Sequence, residues 1–275
     1  MRPFFLYIYL FINLLGISEV YGKSDLRYEA FARPYPLGGY ARVDAGYSFK
    51  YWGKTSSSSN QDALKPSPLY GMIRPHVQFQ TSGVLNSAKA FLDFHPISFW
   101  SLYVGREYTY RSAKNLDTFN CETTSCDTGA FKRNHWGSML AMKFKKIFYM
   151  GRFQWQTTIL DENPFPTFAE EQGTLLGRGK RDTLFYQTHI LGVELNEAQS
   201  LAILYKRNRI RSTDQNTTMA MLLYRHQFVD PFNPSKGRNL GLSLGPGFFS
   251  TRQSTTHPSF IVSLIYNWKK GLTLF

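Results

Sequence analysis

Eight basic residues share one kind of setting: Arg42, Lys50, Arg74, His76, Lys89, Arg152, Lys206 and Arg225 each lie in an extended run where polar and apolar residues alternate. A strand sends successive side chains to opposite faces, so in each run the basic set separates from the apolar set. A face of cations enclosed by a low-dielectric wall concentrates anions and favours their passage. Asp44, Asp93 and Glu107 fall on the same faces. The same cations can therefore fill an interior by pairing with acids and glutamines, as in small barrels with packed lumens. Filter and filler both remain open at this level.

Other constellations carry less. The only His-x-Ser, His257-Pro258-Ser259, puts an imidazole and a hydroxyl on one strand face, the spacing that could activate the hydroxyl as a nucleophile. Pro258 stands between them, and their parity matches Ile261 and Ser263 on the polar side. His135 and Ser138 are three apart and face opposite ways. Asp182, His189 and Glu162 form no group by any sequence argument. Residues 161–181 contain Gly173, Gly177 and Gly179, but no Gly-x-Gly-x-x-Gly opens a helix there, so no cofactor is expected. Cys121 and Cys126, the only cysteines, sit in one polar segment and read as a local disulfide. A metal site is the weaker reading, because there is no second cysteine pair and the nearest histidine is His135. No catalytic residue is assigned.

The elements that must position these residues are strands. The strongest period-2 pattern sets Ala41, Val43, Ala45, Tyr47, Phe49 and Tyr51 against Arg42, Asp44, Gly46, Ser48 and Lys50. Further runs centre on 26–31, 69–80 (with Pro75 weakening it), 88–94, 100–110, 136–144, 147–156, 183–195, 201–205, 218–228, 240–248 and 258 onward. Arg106 breaks the apolar face of its run and argues for a bulge or a neighbouring counter-charge. In the last run Phe260, Val262, Leu264, Tyr266 and Trp268 share one face, and the chain runs on to Phe275.

A chain that closes on such a strand and ends in Phe resembles the bacterial outer-membrane β-barrel proteins. The resemblance is architectural, covers residues 23–275 and includes no specific family motif. It implies an all-β fold: a transmembrane antiparallel β-barrel of about 12 strands, with 10–14 possible. Long connections at 112–134 and 161–182 alternate with short turns at 95–98, 145–146 and 196–198, as long external loops and short periplasmic turns do. Connections 53–68 and 229–238 fit that alternation poorly. The competing architecture is an exported β-sandwich, whose apolar faces would be packed inside.

Composition agrees with export and a barrel. Arg2 followed by the apolar run Phe4–Ile17 reads as a signal peptide over 1–22, cleaved near Gly22, and the run is shorter than a membrane-spanning helix requires. Aromatics make up 16% of the chain, enough to supply interfacial girdles. Mean hydropathy is −0.32, which alternating strands produce even in a membrane barrel. The net charge of +13 suits anionic lipid, lipopolysaccharide or anionic solutes; an exported chain seldom meets nucleic acid. The expected location is the outer membrane of a Gram-negative bacterium, with the C-terminal strand read by the barrel assembly machinery. The expected function is a small passive channel favouring anions. The alternatives are a structural or adhesive barrel acting through its loops, and a lipid-modifying barrel enzyme.

Overall fold

The computed structural model describes residues 21–53, 69–112, 116, 119–126, 129–170, 174–234 and 237–270. The signal segment up to residue 20, most of connection 53–68 and the final Phe275 lie outside them. The strands are β1 Tyr21–Arg33, β2 Gly38–Trp52, β3 Gly71–Thr81, β4 Leu85–Ile97, β5 Trp100–Arg111, β6 Gly129–Phe144 and β7 Ile147–Leu160. After them come the short β8 Thr167–Glu170 and β9 Leu175–Arg178. The wall resumes with β10 Arg181–Glu194, β11 Gln199–Ile210, β12 Gln215–Val229, β13 Arg238–Ser250 and β14 Thr256–Lys269.

Twelve of these form one closed antiparallel barrel in sequence order, and β8 and β9 form a separate hairpin. Closure is made by β1 against β14, from Leu26 opposite Lys269 to Ala32 opposite Val262. The strands are 11 to 16 residues long, because each must carry a polar inner row and an apolar outer row from rim to rim. The period-2 runs define the right elements, and the strands extend beyond most of them. Pro75 stays within β3, where it lies opposite Leu92 of β4 and has no partner on β2. A proline is tolerated where the ladder is interrupted in this way.

The alternation resolves in one sense throughout. Val77, Phe79, Leu92, Leu102, Val104, Tyr108, Trp136, Ile203, Leu222, Phe248 and Leu264 are exposed on the outside. Asp44, Ser48, Glu107, Arg133, His135, Gln156, Asn208 and Thr217 are buried inside. A packed sandwich would show the reverse. One end carries the short connections 98–99, 145–146 and 195–198 together with both terminal strand ends, and is called the terminal end below. Connections 112–128 and 161–180 lie at the opposite, loop end.

In connection 229–238, which fits the alternation poorly in sequence, residues 230–234 and 237 form a turn at the terminal end. The Asp230 carboxylate accepts hydrogen bonds from the backbone N–H of Phe232 (2.8 Å) and Asn233 (3.0 Å). It also accepts from Asn239 Nδ2 (3.1 Å) and Tyr266 Oη (3.2 Å), tying β13 and β14 to the turn. Burial raises the carboxyl pKa, but these donors outweigh it and hold the group below its ordinary value. The contribution of Asp230 is therefore complete above the ordinary Asp range and is lost as pH falls through the depressed value. Asp230→Ala is expected to lower the urea midpoint at pH 7 and to leave a smaller stability loss between about pH 4 and pH 2 than the parent shows. Unfolding curves across that pH range check both.

Candidate functional site: the barrel lumen

Closing the sheet turns its polar rows inward around a cavity of about 2360 Å³, lined from Arg252 and Thr174 at the loop end to Lys269 and Lys270 at the terminal end. Seven of the eight basic residues read from the sequence line it: Arg42, Arg74, His76, Lys89, Arg152, Lys206 and Arg225. Lys50 sits near the terminal end, its ammonium 5.3 Å from the Tyr70 ring centre.

The seven divide into two chemically different sets. Acids face inward on β1, β2, β4 and β5, and the cations near them are consumed. Arg74 pairs with Asp25 and Asp44 and reaches Asp93 at 3.4 Å. His76 bridges Asp44 (Nδ1, 3.0 Å) and Asp93 (Nε2, 3.3 Å). Arg42 and Arg27 share Glu29, which also accepts from Tyr40 Oη at 2.6 Å. Gly46 makes this packing possible: a Cβ there would stand 2.8 Å from the Arg74 guanidinium, which lies flat on the wall.

Nearer the loop end, Glu107 binds Arg133 (3.1 Å), His135 (2.8 Å) and Lys89 (3.6 Å). Arg133 and Glu107 are 0% exposed, and Arg133 continues to Glu170 at 3.1 Å. Phe91 stacks between the two groups, 5.2 Å from the His76 ring and 5.5 Å from that of His135. Its ring occupies the space left by Gly105, where a Cβ would come within 2.1 Å.

The facing wall is different. On β7 and β10–β14, no inward acid lies between Asp182 at the loop rim and Glu194 at the terminal rim. Arg152 is held by neutral groups, Tyr103 Oη (2.8 Å) and Gln154 Oε1 (2.7 Å). Lys206 has the Tyr186 ring at 5.4 Å, and its charged neighbours are Arg33 and Arg152. Arg225 lies over Gly241, and its Nε is buried without a hydrogen-bond partner. The lumen thus has one neutralised wall and one cationic wall.

The mouth is not open loop. Segment 161–181 reads from sequence as an external loop, but its β8–β9 hairpin turns down into the barrel. Glu170 is buried and accepts from Thr158 Oγ1 (2.8 Å) and Gln156 Nε2 (3.4 Å) besides pairing with Arg133. On the other side Leu175 packs with Leu184, Tyr186 and Ile210 of β10 and β11. The cysteines are joined as a disulfide, and their loop lies on the hairpin: Ser125 N donates to Thr167 O (2.9 Å) and Ala169 N to Ser125 O (3.0 Å). Arg252 ties in the last loop through Thr174 O (3.3 Å) and the Phe119 ring (4.9 Å). The physical cause is Glu170, a carboxylate that finds three donors inside the barrel. Sequence reasoning passed over it because nothing local distinguishes it from an exposed glutamate.

His257 and Ser259 do not meet as a dyad. The His257 ring packs at a tilt against Tyr35, centroids 4.2 Å apart, and Ser259 Oγ donates to Tyr35 O. Among the described residues no group of three His, Cys, Asp or Glu is placed to hold a metal ion.

Fold and site together define a closed twelve-stranded barrel with a charged interior. No family model matches the chain, and no curated protein matches it. Among solved structures it is similar to the KdgM porin, with TM-score 0.42 and 8% identity over 88% of this chain and 98% of that one. It is also similar to the NanC porin (TM-score 0.44, 7% identity, 88% and 98%). A third is OmpT, an outer membrane protein of Vibrio cholerae (TM-score 0.38, 10% identity, 90% and 97%).

Removing one member of a buried ion cluster strands the others, at a cost of about 3–5 kcal/mol. Glu107→Gln is expected to destabilise the barrel by that amount, seen as a lower midpoint of urea unfolding followed by tryptophan fluorescence. Arg225→Gln, which strands no partner, is expected to change the midpoint little.

Proposed function

We propose that the protein is an outer-membrane barrel that acts as a small passive channel favouring anionic solutes, with the loop end outside and the terminal end in the periplasm. The exposed apolar outer face supports the membrane placement, since only hydrocarbon makes such a surface favourable. The even strand number and the short turns at the terminal end support the orientation. The observation that carries the anion preference is the cationic wall. Arg152, Lys206 and Arg225 face the cavity, and the strands of their own half carry no inward carboxylate between the rim residues Asp182 and Glu194. Arg42, Arg74, His76 and Lys89 contribute less, because acids already neutralise them.

The β8–β9 hairpin folds into the loop-end mouth, so conduction depends on how far it fills that mouth. This favours a channel of low unit conductance.

Single-channel recording of the refolded mature protein under a salt gradient tests the reading. The parent is expected to give discrete steps with an anion-signed reversal potential. The triple variant Arg152→Gln, Lys206→Gln, Arg225→Gln is expected to lose anion preference by roughly tenfold, the scale on which focused charge raises local ion concentration. Unchanged selectivity in a folded triple variant would remove the cationic wall as the filter. Replacing 167–178 with a short Gly-Ser link is expected to raise unit conductance while keeping the sign of the preference. If the parent is silent and only the hairpin-deleted barrel conducts, the native mouth is a plug and the passive-channel reading fails.

A further inference from the structure

Arg106 is the residue whose place in the fold the lumen does not explain. Its strand contains no bulge at that point: Arg106 pairs in register with Ala90 and with Asn134. It belongs to the exposed set along β5, and its guanidinium lies over the Tyr108 ring at 5.4 Å. No acid partners it among the described residues.

Arg106 is one of a group. The outward rows of β12–β14 and of β1–β4 carry no charged side chain within the wall, whereas β5, β6, β10 and β11 carry Arg106, Lys132, Arg181, Arg207 and Arg209. No outward position of any wall strand is an Asp or Glu. Lys132 and Arg209 reach the exposed loop acids Asp161 and Asp214, both at 3.2 Å. Arg106, Arg181 and Arg207 have no acid partner among the described residues.

The ladder places these cations around one feature. Val104, Trp136, Trp155, Phe185 and Arg209 are successive cross-strand partners and form a single row across five strands. Trp136 and Trp155 stack at 4.0 Å, and Trp155 lies 4.8 Å from Phe185. Immediately toward the loop end runs a polar row, Arg106, Asn134, Thr157 and Thr183, also linked partner to partner. Beyond it, Lys132, Ile159 and Arg181 form the next row. An aromatic shelf is thus bordered by Arg106, Lys132 and Arg181 on the side where the hydrocarbon of a leaflet would end, whereas Arg207 lies one row toward the terminal end, opposite Gln187.

We propose that this arc, from β5 to β11, binds a phosphorylated glycolipid of the surrounding leaflet, namely lipopolysaccharide. Its phosphates would sit on Arg106 and Arg181, and its acyl chains along Trp136, Trp155 and Phe185. A guanidinium fork matches a phosphate with two parallel hydrogen bonds. Cations on the outer face of a membrane barrel carry a cost unless an anion accompanies them. Among the described residues no carboxylate lies there, and the complementary charge is assigned to the lipid. The confinement of the cations to one side of the barrel points to a defined site, since a general headgroup girdle would encircle it. The inference rests on the membrane placement of the barrel but not on conduction.

The test uses the full mature chain refolded in a non-ionic detergent, with insertion into phosphatidylcholine vesicles measured separately as the check on membrane placement. Native mass spectrometry then gives the apparent affinity for lipopolysaccharide and for the same glycolipid stripped of its phosphates. The outer variant Arg106→Gln, Arg181→Gln is compared with the inner variant Arg152→Gln, Arg225→Gln, which loses the same net charge. Loss of two charge-assisted contacts is expected to weaken binding about tenfold in the outer variant and less than about twofold in the inner one. Phosphate removal is expected to reproduce the outer-variant loss on the parent chain, and this arm holds even if a variant does not refold. Equal affinities for the outer and inner variants, or equal affinity of the parent for the phosphorylated and stripped glycolipid, would overturn the proposal. Failure to insert into vesicles would instead overturn the membrane placement.

Discussion

Everything in this molecule depends on the antiparallel seam between β1 and β14. An open twelve-stranded sheet would leave two edges of unpaired N–H and C=O groups, each ready to pair with another chain. Pairing Ala32 with Val262 and Tyr28 with Tyr266 removes both edges at once. It also makes the two faces of every strand inequivalent: one face becomes a closed interior and the other an outer surface. From that point each inward charge must find a partner, a polar neighbour or a solute.

The interior answers this requirement in two ways. On the β1–β5 side, cations and carboxylates are interleaved closely enough to neutralise one another, with Gly46 and Gly105 providing room for a guanidinium and a ring to lie against the wall. On the β7 and β10–β14 side the cations remain, supported by Tyr103, Gln154 and Tyr186 in place of acids. A field directed across the lumen follows from this division. An anion passing through would be drawn toward one wall, not centred.

Glu170 links the barrel to its mouth. A hairpin of two four-residue strands has little stability of its own. Here it is held by a buried ion pair to Arg133 on one side and by Leu175 in an apolar cluster on the other. The disulfide loop rests on it through two backbone hydrogen bonds, so loops that are far apart in sequence form one lid. The same Arg133 also holds Glu107. The lid and the neutralised wall therefore share a residue, and a change at either is felt by the other.

Alternation along Ala41–Tyr51, Ile147–Gln156 and Phe260–Trp268 was enough to place the strands and to assign each residue to one of two faces, because strand geometry is local and repeats every two residues. The same local rule put Arg42, Arg74, Arg152 and Arg225 on one kind of face, and the five-residue spacing of Cys121 and Cys126 identified their loop. The pairing of charges was not legible in this way. Arg74 meets Asp25 and Asp44 across strand ladders 49 and 30 residues apart, and Arg133 meets Glu170 only because a loop folds inward. Arg106 gave a visible local anomaly, but no described residue supplies its counter-charge, and its row of neighbours exists only once β5, β6, β7 and β10 are in register. Side-chain direction is a property of the strand alone. Which cations are neutralised, which remain without a carboxylate and what folds into the mouth are properties of the closed sheet, because Coulomb energy depends on distances that only closure sets.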